Sequence, residues 1–203
     1  MSLTPPVVIV HGFLATKSLL WFFKRSLQKR GFRVHQTDLS FLCIQDVKKL
    51  AQQLERTLEE VCIKEGCEQV DVVGVSQGGV IGLYLMRELE GSKRLRRLVA
   101  VGSPFHGTWA ALPALPVLGL VSKGIWQILP KSRFSRSLTS GLPEDSNVMT
   151  IAVAGDPICP ERSCRLDGAM ENYVLKVRLG PLKHQLMAFH PRVLDTVKEA
   201  LHY

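Results

Sequence analysis

Gly74-Val75-Ser76-Gln77-Gly78-Gly79 sets a serine between glycines two positions before it and two after it. The apolar run Val70 to Val75 precedes the serine and reads as a buried strand. Gln77 to Leu89 follows with helical spacing, closed by Gly91. A G-x-S-x-G run between a strand and a helix predicts a sharp turn that lifts the serine hydroxyl into the open. It also aims the helix N-terminus at that hydroxyl. The small flanking residues keep so tight a junction free of clashes. A dinucleotide loop would need G-x-G-x-x-G, which is absent. Ser76 is therefore the candidate nucleophile. The competing reading is a glycine-rich junction with an incidental serine.

A serine hydroxyl is a weak nucleophile and needs a base that is itself oriented by an acid. In the chain order Ser…Asp…His, the acid follows a later strand. Val148 to Val153 reads as that strand, and Ala154-Gly155-Asp156-Pro157 comes directly after it. Asp156 fits the role. Asp167 is the rival, and both sit where turn chemistry would also place an aspartate. His184, His190 and His202 follow the acid. His184 lies in a loop before the last helix, His190 precedes Pro191 and reads as a helix start, and His202 is nearly terminal. The oxyanion of acyl transfer needs backbone donors. The expected pair is the N–H of Gln77 and the N–H of Phe13, in the His11-Gly12-Phe13 loop after the first strand. His11 is expected to brace that loop.

The elements that must carry these residues alternate. Pro6 to Val10, Phe32 to Thr37, Val70 to Val75, Leu95 to Val101, Val148 to Val153 and Tyr173 to Val177 read as strands. Lys17 to Arg30, with Thr16 as N-cap, Gln45 to Lys64, Gln77 to Leu89 and Val193 to Leu201 read as helices. Such alternation predicts an α/β fold, a mostly parallel sheet flanked by helices, in one domain over residues 1–203. Ligands of such sheets bind beyond the carboxyl ends of the strands, where all the candidate residues fall. From Phe105 to Asn147 the chain runs too far for a plain connection. Val117, Leu118, Leu120, Val121, Ile125, Trp126, Ile128 and Leu129 crowd part of it. The 112–146 segment is expected to form a short helical lid or a wall of an acyl pocket, against the alternative of a helix packed on the core.

Val10-His11-Gly12, Gly74 to Gly79 and Val101-Gly102-Ser103-Pro104-Phe105-His106-Gly107-Thr108 resemble blocks of bacterial triacylglycerol lipases and related esterases. Ser163-Cys164-Arg165-Leu166-Asp167-Gly168-Ala169 resembles the segment after the catalytic aspartate in the small, nearly lidless lipases. Lys183-His184 through Val193 resembles the stretch with their histidine. The resemblance implies a minimal α/β-hydrolase fold, with nucleophile Ser76, acid Asp156, base His184, and oxyanion donors Phe13 and Gln77. It implies that Asp167 belongs to a structural turn. The chain departs from many members in having Val75 where they have histidine. It also lacks an aspartate pair matching the calcium site of the larger lipases.

Composition narrows the partners. Of 203 residues, 46% are hydrophobic and 22% charged, ordinary for a globular domain, and the net charge is +8. No nucleic-acid motif accompanies that charge. The uncharged run Trp109 to Val121 contains Pro113 and Pro116 and is shorter than the roughly 20 residues of a membrane span. Transient contact with a lipid interface stays open, although the Lys131-to-Arg136 run reads first as a solvated face. The five cysteines, an odd number, suit a reduced compartment, although Cys159 and Cys164 are near enough in sequence to pair. With no leader pattern at the N-terminus, the cytoplasm is favoured. No metal and no cofactor is expected. The expected function is a serine carboxylic-ester hydrolase, a lipase or esterase, acting on an acyl ester or lipid. A thioesterase or acyltransferase would use the same residues, and a non-catalytic binding protein of this fold is the distant alternative.

Overall fold

The computed structural model of the chain describes residues 4–13, 17–37, 39, 45–89, 93–120, 122–142 and 145–203. Six strands, β1 (Val7–Val10), β2 (Val34–Gln36), β3 (Val70–Val75), β4 (Leu95–Val101), β5 (Val148–Val153) and β6 (Glu171–Leu175), form one sheet in the order β2-β1-β3-β4-β5-β6. Every neighbouring pair is parallel. Each crossover therefore returns the chain to the same end of the sheet, and all loops after strands share the carboxyl edge.

Strand side chains alternate between two cores, as the two-residue period of a strand requires. Val8, Val10, Val72, Leu98 and Ala100 face α2 (Val47–Glu65) and α3 (Gln77–Glu88). Val7, Ile9, Val73, Val99, Met149 and Ile151 face α1 (Lys17–Gln28) and the C-terminal helix Pro191–His202. Both faces of the sheet are covered, which is why these strands are apolar runs rather than alternating ones.

The apolar spacing of α2 buries Leu50, Leu54, Leu58 and Val61 on one stripe. Asp46 caps its start by accepting from the Lys48 N–H, and Gly66 ends it in the left-handed region at φ 63°. The expected β6 lay two residues later than the observed one. The strand begins in polar residues, which carry no strand signal of their own. Asn172 earns its place by accepting from Thr150 Oγ1 at 2.7 Å and from the Leu166 N–H at 3.0 Å. Val177 is buried beyond the strand end. The final helix starts at Pro191, with His190 as N-cap accepting from the Arg192 N–H. The expected cap Thr16 and helix stop Gly91 lie outside the described residues.

The long segment after β4 folds into short pieces: a 3₁₀ turn Trp109–Ala114, then α4 (Leu115–Leu118), α5 (Lys123–Gln127) and α6 (Arg133–Leu138). The Gln127 side chain ties it to the start of α2. Gln127 Nε2 donates to Asp46 Oδ1 at 2.9 Å, while its Oε1 accepts from the Val47 N–H at 2.9 Å. Burial works against the Asp46 carboxylate, but the Gln127 and Lys48 donors and the Lys123 ammonium hold its pKa below the ordinary value. Gln127→Ala should therefore cost about 1–2 kcal/mol at neutral pH, seen as a melting point lower by a few degrees. The Asp46 contribution exists above its unfolded pKa of about 3.9 and is lost as pH falls through its lower folded value. The gap between mutant and parent melting points should thus narrow as pH falls below about 4, leaving the pH-independent part from the lost Val47 N–H bond.

Candidate active site

Ser76 stands between β3 and α3 at φ 54°, ψ −125°, a strained conformation for a residue with a side chain. The surrounding contacts over-determine it. Its N–H donates to the Val101 carbonyl at 2.8 Å and its own carbonyl accepts from the Gly79 N–H at 3.1 Å. A Cβ on Gly74 would lie 2.5 Å from the Gly79 backbone, and one on Gly78 would lie 2.1 Å from the Val10 carbonyl oxygen. The expected need for small residues on either side of the serine is thus met by specific backbone neighbours.

The Ser76 hydroxyl donates to His184 Nε2 at 2.9 Å, and His184 Nδ1–H donates to Asp156 Oδ2 at 2.7 Å. Asp156 is 2% exposed and follows β5 on a turn closed through its own side chain. Its Oδ1 accepts from the Ile158 and Cys159 N–H groups at 2.8 and 3.1 Å. One carboxylate oxygen thus fixes the loop and leaves the other for the imidazole. His184 sits on a short helix, Lys183–Leu186, after β6.

The rivals are placed elsewhere. Asp167 is almost fully exposed, 3.7 Å from Arg165, beside a Leu166-to-Ala169 turn. His190 is the helix cap, and the His202 ring lies 5.2 Å from that of Phe32. His106 accepts no role in the chain of hydrogen bonds, its Nε2–H donating to the Arg165 carbonyl at 3.1 Å. His11 is buried and its Nδ1–H donates to the Gly12 carbonyl at 2.9 Å, bracing the loop as expected. A Cβ on Gly12 would meet the Gln77 nitrogen at 2.8 Å, so the Gly12-Phe13 backbone passes directly over the start of α3.

These residues open into a cleft of about 390 Å³. Phe13, Ser76, Gln77 and His184 line one side, and Ala110, Ala111, Ile125, Ile128 and Ile158 make an apolar wall. The post-β4 segment therefore contributes both wall and core: Ile125 is buried and Ile128 faces the cleft, while Trp126 is half exposed with its Nε1–H donating to the Gly119 carbonyl. Cys159 also lines the cleft. Burial and the adjacent Cys164 thiol push its pKa well up, which keeps it a protonated thiol. Cys159 and Cys164 are both free. Among the described residues, no group of three or more His, Cys, Asp or Glu side chains is arranged to hold a metal ion.

Two supports were not legible in the sequence. Lys183 Nζ donates to the Ala154 carbonyl at 2.7 Å, joining the loop that carries His184 to the loop that carries Asp156. Met187 packs so closely under Gly102 that a Cβ there would meet its Cε at 1.9 Å. A lysine next to a histidine, and a lone methionine, carry no local signal of such contacts. The Gly102-to-Thr108 block turns out to be a junction: Gly107, at φ 87°, abuts the Leu129-Pro130 backbone, and Thr108 Oγ1 donates to the Ile158 carbonyl.

The family model of the α/β-hydrolase fold matches residues 5–116. A search of curated proteins finds no significant match. Among solved structures, the mature form of the Bacillus licheniformis lipase BlEst2 superposes with a TM-score of 0.80 at 18% identity, covering 99% of this chain and 93% of that one. Aspergillus fumigatus lipase B gives 0.76 at 19% identity, covering 98% of this chain and 53% of that one. MGS-MChE2, an α/β-hydrolase enzyme from a sediment metagenome of the Mar Chica lagoon in Morocco, gives 0.63 at 20% identity, with 97% and 90% covered. At these identities the likeness is one of fold.

The packing at the turn makes a measurable claim. Gly78→Ala should lower stability by about 1–3 kcal/mol, because its Cβ meets a backbone oxygen of a central strand that cannot move aside. Gly31→Ala, at φ 95° with open space around it, should show only the smaller cost of the left-handed conformation, about 1–2 kcal/mol. Thermal melts of the two variants test the ranking.

Proposed function

The chain belongs to the α/β-hydrolase fold family, and within it we propose a serine carboxylic-ester hydrolase that works through an acyl-enzyme. The observation that carries this reading is the unbroken hydrogen-bond chain from Ser76 Oγ through His184 to Asp156 Oδ2. In this reading His184 Nε2 takes the hydroxyl proton as Ser76 Oγ attacks the ester carbonyl carbon. The negative charge that develops on the carbonyl oxygen is met by the N–H groups of Gln77 and Phe13. The tetrahedral intermediate collapses, the alkoxide leaves with the proton from His184, and the acyl group remains on Ser76. Water then repeats the sequence and releases the acid. Asp156 stays ionised, holding the imidazole in the right tautomer and stabilising its charged form.

The apolar wall of Ala110, Ala111, Ile125 and Ile128 suits the acyl chain, and the post-β4 segment acts as that wall. The names of the Bacillus and Aspergillus neighbours, both lipases, agree with an ester substrate. The protonated Cys159 thiol leaves Ser76 as the nucleophile of the cleft. The triad chemistry requires no ion, so EDTA should leave the rate unchanged.

Hydrolysis of p-nitrophenyl esters, followed together with labelling by a fluorophosphonate, tests the assignment. Ser76→Ala should lose on the order of 10⁶ in kcat and all labelling, and His184→Ala should be close to it. Asp156→Asn should lose roughly 10³–10⁴-fold. Asp167→Asn and His190→Ala should keep most activity. A Ser76→Ala enzyme retaining substantial turnover would overturn the mechanism.

A further inference from the structure

Tryptophan is a residue that proteins bury on average. This chain has three, and all are exposed: Trp21 by 64%, Trp109 by 61% and Trp126 by 52%. Two of them flank the cleft. Trp109 lies between the lining residues Thr108 and Ala110, and Trp126 follows the lining residue Ile125. Exposed Phe13 lines the cleft itself, and exposed Leu112 and Leu186 each follow a lining residue. Trp21 is carried on α1, whose neighbouring Phe22 sets its ring edge-on to Phe189, just beyond the His184 helix, at 5.3 Å. All three indoles and the exposed Phe13, Leu112 and Leu186 thus lie on the elements around this opening, while Ile63, Met170 and Tyr203 are exposed on other parts of the fold.

The segments around the opening carry more cations than acids. Residues 102–143, which supply the apolar wall, contain Lys123, Lys131, Arg133 and Arg136 and no acidic residue. Residues 172–194, which supply His184, contain Lys176, Arg178, Lys183 and Arg192 and no acidic residue. Lys123 is 3.8 Å from Asp46 and Lys183 is engaged with Ala154, but Lys131, Arg133, Lys176, Arg178 and Arg192 stand on the surface. Lys176 and Arg178 directly follow the carboxyl end of β6, and Lys131 follows the Leu129-Pro130 backbone that abuts Gly107. The third loop of this edge, between β5 and β6, is balanced outside the site, with Glu161 and Asp167 against Arg162 and Arg165.

We infer that the carboxyl edge, with the cleft mouth facing down, is a docking surface for an anionic lipid bilayer. Exposed indoles insert at the headgroup level, where an apolar body and one polar N–H are both accommodated. The lysines and arginines around them meet the negative surface potential. A soluble acidic partner would be served by the cations alone and would leave the aromatic residues unexplained. The surface stands apart from the hydrolytic reading, although it would place the cleft against acyl esters held in a membrane.

The test uses Ser76→Ala protein beside the parent, so that vesicle hydrolysis plays no part. Co-sedimentation with extruded phosphatidylcholine vesicles, with and without phosphatidylglycerol, should show binding that depends on the anionic lipid and weakens with salt. Tryptophan emission should shift to the blue on binding and be quenched by brominated acyl chains. Lys131→Asn and Arg178→Gln should each weaken partition roughly fivefold; asparagine also tolerates the positive φ of 59° at position 131. Trp109→Ser should reduce partition with its circular dichroism unchanged. Absence of binding to anionic vesicles at low salt overturns the inference. So does binding with unaltered tryptophan emission, which would mean that another face docks. Retention on a soluble polyanion such as heparin without vesicle partition would assign the cations to an acidic partner instead.

Discussion

The backbone of Ser76 is held in a conformation that a residue with a side chain avoids, and much of the site follows from how that conformation is enforced. The turn exists because the start of α3 packs flat against the carboxyl ends of β1 and β3. Gly78 lies on the Val10 carbonyl and Gly74 on the Gly79 backbone, closer than any Cβ would permit. The strain therefore resides in a junction whose surroundings are central strands with no exposure. Release of the turn would require separating the middle of the sheet from its helix. The hydroxyl is fixed in space by packing that lies beneath it, and nothing in the cleft needs to move to present it.

The remaining groups reach that hydroxyl because the sheet is wholly parallel. Loops after β1, β3, β4, β5 and β6 share one edge, so residues far apart in sequence come together without any long excursion. The loops are then fastened to one another rather than to the sheet alone. Lys183 joins the His184 loop to the Asp156 loop, Thr108 is bonded to the Ile158 carbonyl, and Met187 fills the space under Gly102. Asp156 spends one oxygen on its own turn, and this bond orients the second towards the imidazole. Such cross-fastening narrows the geometry to one arrangement, which proton transfer over hydrogen-bond distances requires.

The same edge also carries exposed indoles and exposed cationic side chains. A cleft that opens among exposed indoles differs from one rimmed by polar side chains, because the rim itself gains by leaving water. Parallel topology produces this concentration too: the loops that supply the chemistry are the loops free to vary in composition, while the strands and helices must fill the two cores. Site and surface character thus arise from one constraint on the fold.

Local signals in the sequence determined the sharp turn at Ser76, the strand-helix alternation and the chain order of the candidate residues. Each depends on neighbours within a few positions: β-branched runs, helical spacing, and glycines around a serine. The end of α2 at Gly66 and the start of the last helix at His190 and Pro191 belong to the same class. Tertiary structure separated Asp156 from Asp167, which have similar turn chemistry, by burying one beside His184 and leaving the other in water. It placed β6 two residues early, because an edge strand that opens in polar residues is defined by its partner Met149-to-Val153 rather than by its own pattern. It divided the described residues of the post-β4 segment between wall and core, since Ile125 and Trp126 are both apolar in sequence and differ in what covers them. Lys183 and Met187 acquired their supporting contacts through pairings between loops distant along the chain, and a linear pattern does not encode which of two distant loops will meet.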